Sequence, residues 1–156
     1  MTVDALWVAL ALVLAVGLWA VRTANRLDRL HIRTDAAWAA LDSALARRAV
    51  VARLADPRLR AAADAAESAP RGEREAAENE LGGLLAGLDR TALPPEVAAE
   101  LEDAEHRVVL ARRVHNDAVR DTLALRVRPM VRWLRLAGTA PRPSYFEIVE
   151  PDHLGY

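Results

Sequence analysis

Cysteine is absent from the 156-residue chain, which excludes disulfides, thiol nucleophiles and thiolate metal sites. Lysine is absent as well, so every basic side chain is an arginine, a bias that reads first as a GC-rich coding sequence. Aromatic residues are scarce, at 4% of the chain. A core must then be built of Ala, Leu and Val, which suits closely packed helices and suits a β-sheet poorly. Neither sign of charge dominates: the net charge is −1, and nothing in that balance calls for nucleic acid. Phosphate-cradling loops are missing too. There is no P-loop and no dinucleotide-binding glycine pattern, and Gly82-Gly83 falls inside a helical stretch rather than after a strand.

What is present begins with residues 5–21, ALWVALALVLAVGLWAV, a run without a charge or strong polar group. Roughly 17 helical residues at about 1.5 Å each reach about 25 Å, near the lower limit for crossing a bilayer core. Trp7 and Trp19 lie near its two ends, where amphipathic rings favour the headgroup level. A buried core helix or a cleavable signal peptide would be the other readings. A signal peptide carries its positive charge before the apolar run, whereas here Arg22, Arg26, Arg29 and Arg33 all follow it. The same asymmetry sets an expected orientation, with the N-terminus outside and the rest cytoplasmic. The expected organisation is a transmembrane anchor over residues 1–21, a helical bundle over 22–137, and a loop and tail over 138–156.

No helix breaker occurs between residue 21 and Pro57. Leu27, Leu30 or His31, Thr34, Trp38, Leu41 and Leu45 recur at three- and four-residue steps, the stripe of a helix facing a partner. The four arginines fall on another face. One long helix is therefore predicted over residues 5–54. A short Ala-rich helix follows over 58–68, and a third runs over 73–88 with Leu81, Leu84, Leu85 and Leu88 as its apolar set. Gly82, Gly83 and Gly87 weaken the third helix but would let a neighbour approach closely. The last helix starts at about Pro95 and carries Val97, Leu101, Ala104, Val108, Ala111, His115, Ala118, Thr122 and Leu125. Pro129 kinks or ends it.

Helix lengths then suggest a topology. Residues 22–54 and 96–127 each span roughly 50 Å, with two shorter helices between them. An all-α, antiparallel up-down-up-down bundle of four helices, the second short, brings the last helix home along the first. That path returns Arg126, Arg128, Arg132 and Arg135 to the membrane surface, with Val127, Met130, Val131 and Leu134 on one side of the segment. Together with Arg22, Arg26, Arg29 and Arg33 these arginines are expected to contact anionic headgroups, at about 1 kcal/mol per residue near the surface.

Several stretches resemble the LemA family of small bacterial membrane proteins. Ala24-Asn25-Arg26-Leu27, then Ala37-Trp38, Asp42, Leu45 and Arg47-Arg48, is similar to the family's long first helix. Glu78-Asn79-Glu80-Leu81 with Leu84 and Leu85 resembles its ENxL helix. Glu100-Leu101 through Glu105, Val108, Ala111-Arg112-Arg113, Asn116-Asp117 and Val119 resembles its last helix, and Tyr145-Phe146-Glu147 its aromatic-acidic ending. The chain departs from the pattern at Ala49-Val50-Val51-Ala52, where members carry Ile-Pro-Asn-Leu, at His115, where Tyr is common, and in a shortened middle. It resembles a divergent, shortened member. The resemblance implies an N-terminal anchor and an antiparallel bundle without an established catalytic activity.

Candidate chemistry is thin. Asp103 and His106 have the spacing used in di-metal bundles, but such sites need two carboxylate–histidine pairs and two further carboxylates, and Glu102 and Arg107 mark a solvated face. His115-Asn116-Asp117 cannot converge, because consecutive helical residues point about 100° apart. His115 lies on the apolar stripe and reads as a core or interface histidine. Ser43 and Ser144 lack a triad context. Asp42 and Arg48 could link helices, although surface pairing at tenths of a kcal/mol is the plainer account. The expectation is a non-enzymatic scaffold or adaptor without cofactor or metal, binding anionic lipid and either a protein partner or itself. The alternative is an accessory subunit of a membrane enzyme such as a protease. The tail would pack against the bundle or serve as a short docking motif.

Overall fold

The computed structural model describes residues 2–149, and among them it is all-helical with no strand. Helix α1 runs without interruption over Thr2–Ala55, as the absence of proline before residue 57 dictates. It stops because a residue before proline is driven out of the helical region: Asp56 is extended, at φ −149° and ψ 123°. The Asp56 carboxylate accepts the Arg58 N–H at 2.8 Å, capping a 3₁₀ turn over Pro57–Leu59. Helix α2 (Arg60–Ser68) follows, then α3 (Arg74–Ala86), a second 3₁₀ turn over Arg90–Ala92, and α4 (Pro95–Arg126). Pro129 does more than end α4. It occupies the first turn of a new short helix, α5 (Pro129–Trp133), where its missing N–H costs nothing.

The chain divides into two compact units. The first holds residues 1–35 and 117–144. From Val3 to Val21 its large apolar side chains are exposed, Leu6, Trp7 and Val13 by 64–69%. This is the one helix among the described residues long and apolar enough to cross a membrane, and its apolar window is not buried. A core-helix reading of the run is thereby overturned. Burial starts at Thr23 and recurs at Leu27 and Thr34. Leu27 packs with Leu125 of α4 and Val131 of α5, joined by Leu30, Leu136 and Ala137. Two turns past Leu27, the Thr34 hydroxyl meets that of Thr122 at 3.1 Å. Within this unit α1 and α4 thus run antiparallel.

The second unit holds residues 36–116 and 145–156. Ala49, Val51 and Ala52 of α1 form one cluster with Leu59, Ala62, Ala63 and Ala66, Leu81 and Leu85 of α3, and Leu101 and Ala104 of α4. Alanine at these contacts lets the helices approach closely. A second cluster joins Leu41, Leu45, Val108 and Phe146. Two sequence expectations fail on α3. Leu84 is 46% exposed, because the buried face runs through Arg74, Glu78, Leu81 and Leu85 instead. Gly82 and Gly83 admit no close neighbour, since a Cβ on either would meet nothing within 4 Å.

Candidate functional site

In the first unit Arg22, Arg26, Arg29 and Arg33 are all exposed, on the side of α1 away from the Leu27–Thr34 stripe. Arg33 pairs with Asp121 at 3.1 Å; both side chains are about half exposed, so the pair adds little stability. Arg128, Arg132 and Arg135 are exposed, while Arg126 is half-buried. The Arg126 guanidinium donates to the carbonyls of Pro141 and Ala140, each at 2.9 Å, and lies 3.1 Å from His31 Nε2. It ties the loop after α5 to the end of α4. By sequence this unit carries ten arginines against five aspartates, a net +5, and the other unit carries eleven arginines against 17 carboxylates, a net −6.

The apolar residues expected on one side of residues 126–135 are split. Val131 is 1% exposed and Leu134 half-buried, whereas Val127 and Met130 are 63% and 44% exposed, as is the neighbouring Trp133 at 78%. The break between α4 and α5 resets the helical phase, so only Val131 reaches Leu27. α5 ends in a Schellman motif: Leu136 N–H bonds to Val131 C=O at 3.0 Å and Arg135 N–H to Arg132 C=O at 3.2 Å, with Leu136 packed on Val131. The residue after such a helix end takes a left-handed conformation and is usually glycine. Here it is Arg135, at φ 50°, and Gly138 follows at φ 54°. An L-residue there costs about 1–2 kcal/mol. A cavity of about 570 Å³ opens beside this turn, lined among others by Arg126, Arg132, Arg135 and Arg142. Arg142 escaped the sequence reading because only the loop's return brings it there.

The second unit is organised around buried charge. Arg48 and Glu78 pair at 2.7 Å with side chains 2% and 0% exposed. Glu78 also accepts from Arg74 Nε at 2.9 Å, and Arg74 reaches Asp42 at 3.2 Å. The surface-pairing account of Arg48 is therefore wrong, and Arg48 is an interhelix link. Its signal was its position on the apolar stripe of α1, one step after Leu45. Glu105 of α4 is also buried and takes both Nη atoms of Arg90 at 2.8 Å. Asp103 and His106 are exposed. Arg107 bonds Asp103 at 2.6 Å and holds its carboxyl below the ordinary carboxylate value. The His106 ring sits 3.0 Å from the Glu102 carbonyl oxygen.

His115 is fully buried and lies edge-on to Trp38, ring centroids 5.5 Å apart. Trp38 also meets Phe146 edge-on at 5.6 Å and carries the Arg71 guanidinium 4.0 Å from its ring centre. Residues 145–149 form an extended strap. Asn116 accepts the Phe146 N–H at 2.9 Å and donates to the Phe146 carbonyl at 3.1 Å. Glu75 and Asn79 accept the N–H groups of Glu147 and Val149 at 2.9 and 2.8 Å. The first part of the tail thus packs on its unit, and the expectation for residues 150–156 falls outside the described residues.

Two open apolar grooves lie along α1 and α4 of this unit and share Arg47, which pairs with Glu100. One, of about 470 Å³, is lined by Val50, Val51, Leu54 and Val97. The other, of about 520 Å³, is lined by Ala40, Ala44, Leu110 and Val114. Among the described residues no three His, Asp or Glu side chains gather as metal ligands would. Set against known proteins, the chain matches no family model, no curated protein and no solved structure.

Proposed function

We propose that this protein is a non-enzymatic scaffold or adaptor tethered to a membrane by the first third of α1, with its helical bundle binding a protein partner or a second copy. The observation that carries the binding reading is the grooved α1/α4 face, where Val50, Leu54, Leu110 and Val114 are 46–69% exposed. Apolar side chains gathered in this way mark interaction surfaces. The tether reading rests on the uncovered apolar run beside a net-positive unit. Arg22, Arg26, Arg29, Arg33, Arg126, Arg128, Arg132 and Arg135 would meet anionic headgroups. The bundle would face the cytoplasm, because the arginines follow the span. The four-helix up-down-up-down path is part of the same proposal, favoured by the antiparallel pairing of α1 and α4 within each unit. So is LemA kinship, favoured by the interlocking of residues that carry the resemblance: Arg48 with Glu78, Asn79 with the strap, and Asn116 with Phe146.

A photo-crosslinker placed at Val50 or Leu110 of the full chain in native membranes tests the binding reading. One discrete adduct, to a second copy or to a single partner, is expected. A membrane protease as that partner would favour the accessory-subunit alternative. Labelling no more specific than at exposed Ala61 of α2 would defeat the reading. For orientation, a Ser144→Cys variant should resist an impermeant thiol reagent in intact cells, and ready labelling would reverse it.

A further inference from the structure

We propose that the cavity bounded by Arg126, Arg132, Arg135 and Arg142 binds a phosphate monoester, the chemistry shared by a phosphatidic acid headgroup and a free phosphate compound. Many arginines elsewhere are matched to carboxylates: Arg33, Arg47, Arg48, Arg53, Arg74, Arg90 and Arg107 each pair with at least one. Among the described residues Arg132, Arg135 and Arg142 have no such partner, and no carboxylate lines the cavity. Guanidiniums gathered without an acid repel one another, and their forked donors fit phosphate oxygens bidentately. Arg126 shapes the site, because its bonds to Ala140 and Pro141 hold the loop that delivers Arg142. Arg135 contributes a side chain from a left-handed position that glycine fills more readily, and strain of this kind gathers at ligand sites. Val127 and Val131 supply an apolar wall.

Depth selects between the two sources. Val131 packs against Leu27, six residues past the end of the apolar run, or about 9 Å of helical rise. The headgroup layer is roughly 5–8 Å thick on each side of the hydrocarbon, so the cavity lies at its outer edge. Trp133, Met130 and Val127 stand exposed beside it, and tryptophan favours that level. The choice of a lipid rests on the tether reading; the phosphate chemistry does not.

The test uses the full chain in neutral detergent micelles, titrated with dioctanoyl phosphatidic acid and, separately, with inorganic phosphate. One saturable equivalent of the lipid is expected. Arg132→Gln/Arg142→Gln should weaken it at least tenfold, and Arg135→Gly at least threefold without loss of the helical melt. The charge-matched pair Arg60→Gln/Arg120→Gln should stay within twofold. Inorganic phosphate binding as tightly, with the same dependence, would assign the site to free phosphate compounds. Non-saturable uptake, or an equal loss in the charge-matched pair, would overturn the site and leave a diffuse basic surface. Alkaline extraction of the wild-type chain from vesicles reads the tether independently: release defeats the tether and leaves the site standing.

Discussion

Glu78 lies between two guanidiniums, with Arg48 at 2.7 Å and Arg74 at 2.9 Å, and its side chain is wholly buried. Removing it strands the buried Arg48 and leaves Arg74 only the half-exposed Asp42, so Glu78→Leu is expected to cost about 3–5 kcal/mol. Arg48→Met should cost less, because Glu78 keeps Arg74. The double variant Arg48→Met/Glu78→Leu should regain much of the loss, helped by Arg48 Nε, which has no acceptor among the described residues. Thermal melts of the full chain in micelles measure all three. Additive losses in the double variant would contradict the network.

The residues around that pair show what was legible in the sequence. Helix limits were, since proline and apolar periodicity act locally: the long first helix ends one residue past its expected position. The stripe on α4 was legible too, with His115 and Thr122 buried on it as their spacing required. Arg48 sits on the stripe of α1, but charge argued for the surface, and its partner is 30 residues away across turns whose geometry no spacing reveals. The candidate site was half legible. Its arginines on α4 and α5 could be named, whereas the restart of a helix at Pro129 and the return of Arg142 depend on backbone geometry.

Thr34 and Thr122 share two carbonyls, Leu30 and Ala118, and each other's hydroxyl. Both residues are buried. Thr34→Val alone leaves Thr122 with its Ala118 bond but without its neighbour, at a cost of about 1 kcal/mol. Replacing both by valine removes both polar groups at nearly constant shape and should be close to neutral. A double-mutant cycle on melting temperature would refute the pairing if the two effects simply summed.

The strap depends on one ring and one amide. Phe146 is 2% exposed, so Phe146→Ala should cost about 3–5 kcal/mol. Asn116→Ala strips both partners from the Phe146 backbone and should cost about 1–3 kcal/mol. Hydrogen exchange at residues 146–149 should accelerate in both variants before the rest of the chain responds. Unchanged exchange there would mean the amide does not hold the strap.

Two capping aspartates set an acid limit. Hydrogen bonds from Arg58 hold Asp56 below the usual carboxylate value, and the Thr91 hydroxyl and N–H do the same for Asp89. A depressed folded pKa means the unfolded chain binds the proton more readily. The stabilisation is therefore complete above the unfolded value near ~4 and is lost as pH falls through the folded values. Melting temperature should fall below pH 4, and Asp56→Asn/Asp89→Asn should flatten that fall while leaving the alkaline side unchanged. An identical acid profile in the double variant would remove these caps as the cause.

Arg135 separates backbone strain from side-chain function. Both Arg135→Ala and Arg135→Gly delete the guanidinium, but only glycine removes the Cβ that disfavours φ 50°. Glycine should therefore melt higher than alanine by about 1 kcal/mol in stability, and higher than the native arginine unless the guanidinium itself packs. Both variants should bind a phosphate monoester equally poorly, since neither presents a charge to the cavity. A chain that gains stability while losing its ligand places the arginine there for binding. Equal melting of the alanine and glycine variants would show that the turn relaxes and carries no strain, and phosphate binding at the native level in either variant would remove Arg135 from the site.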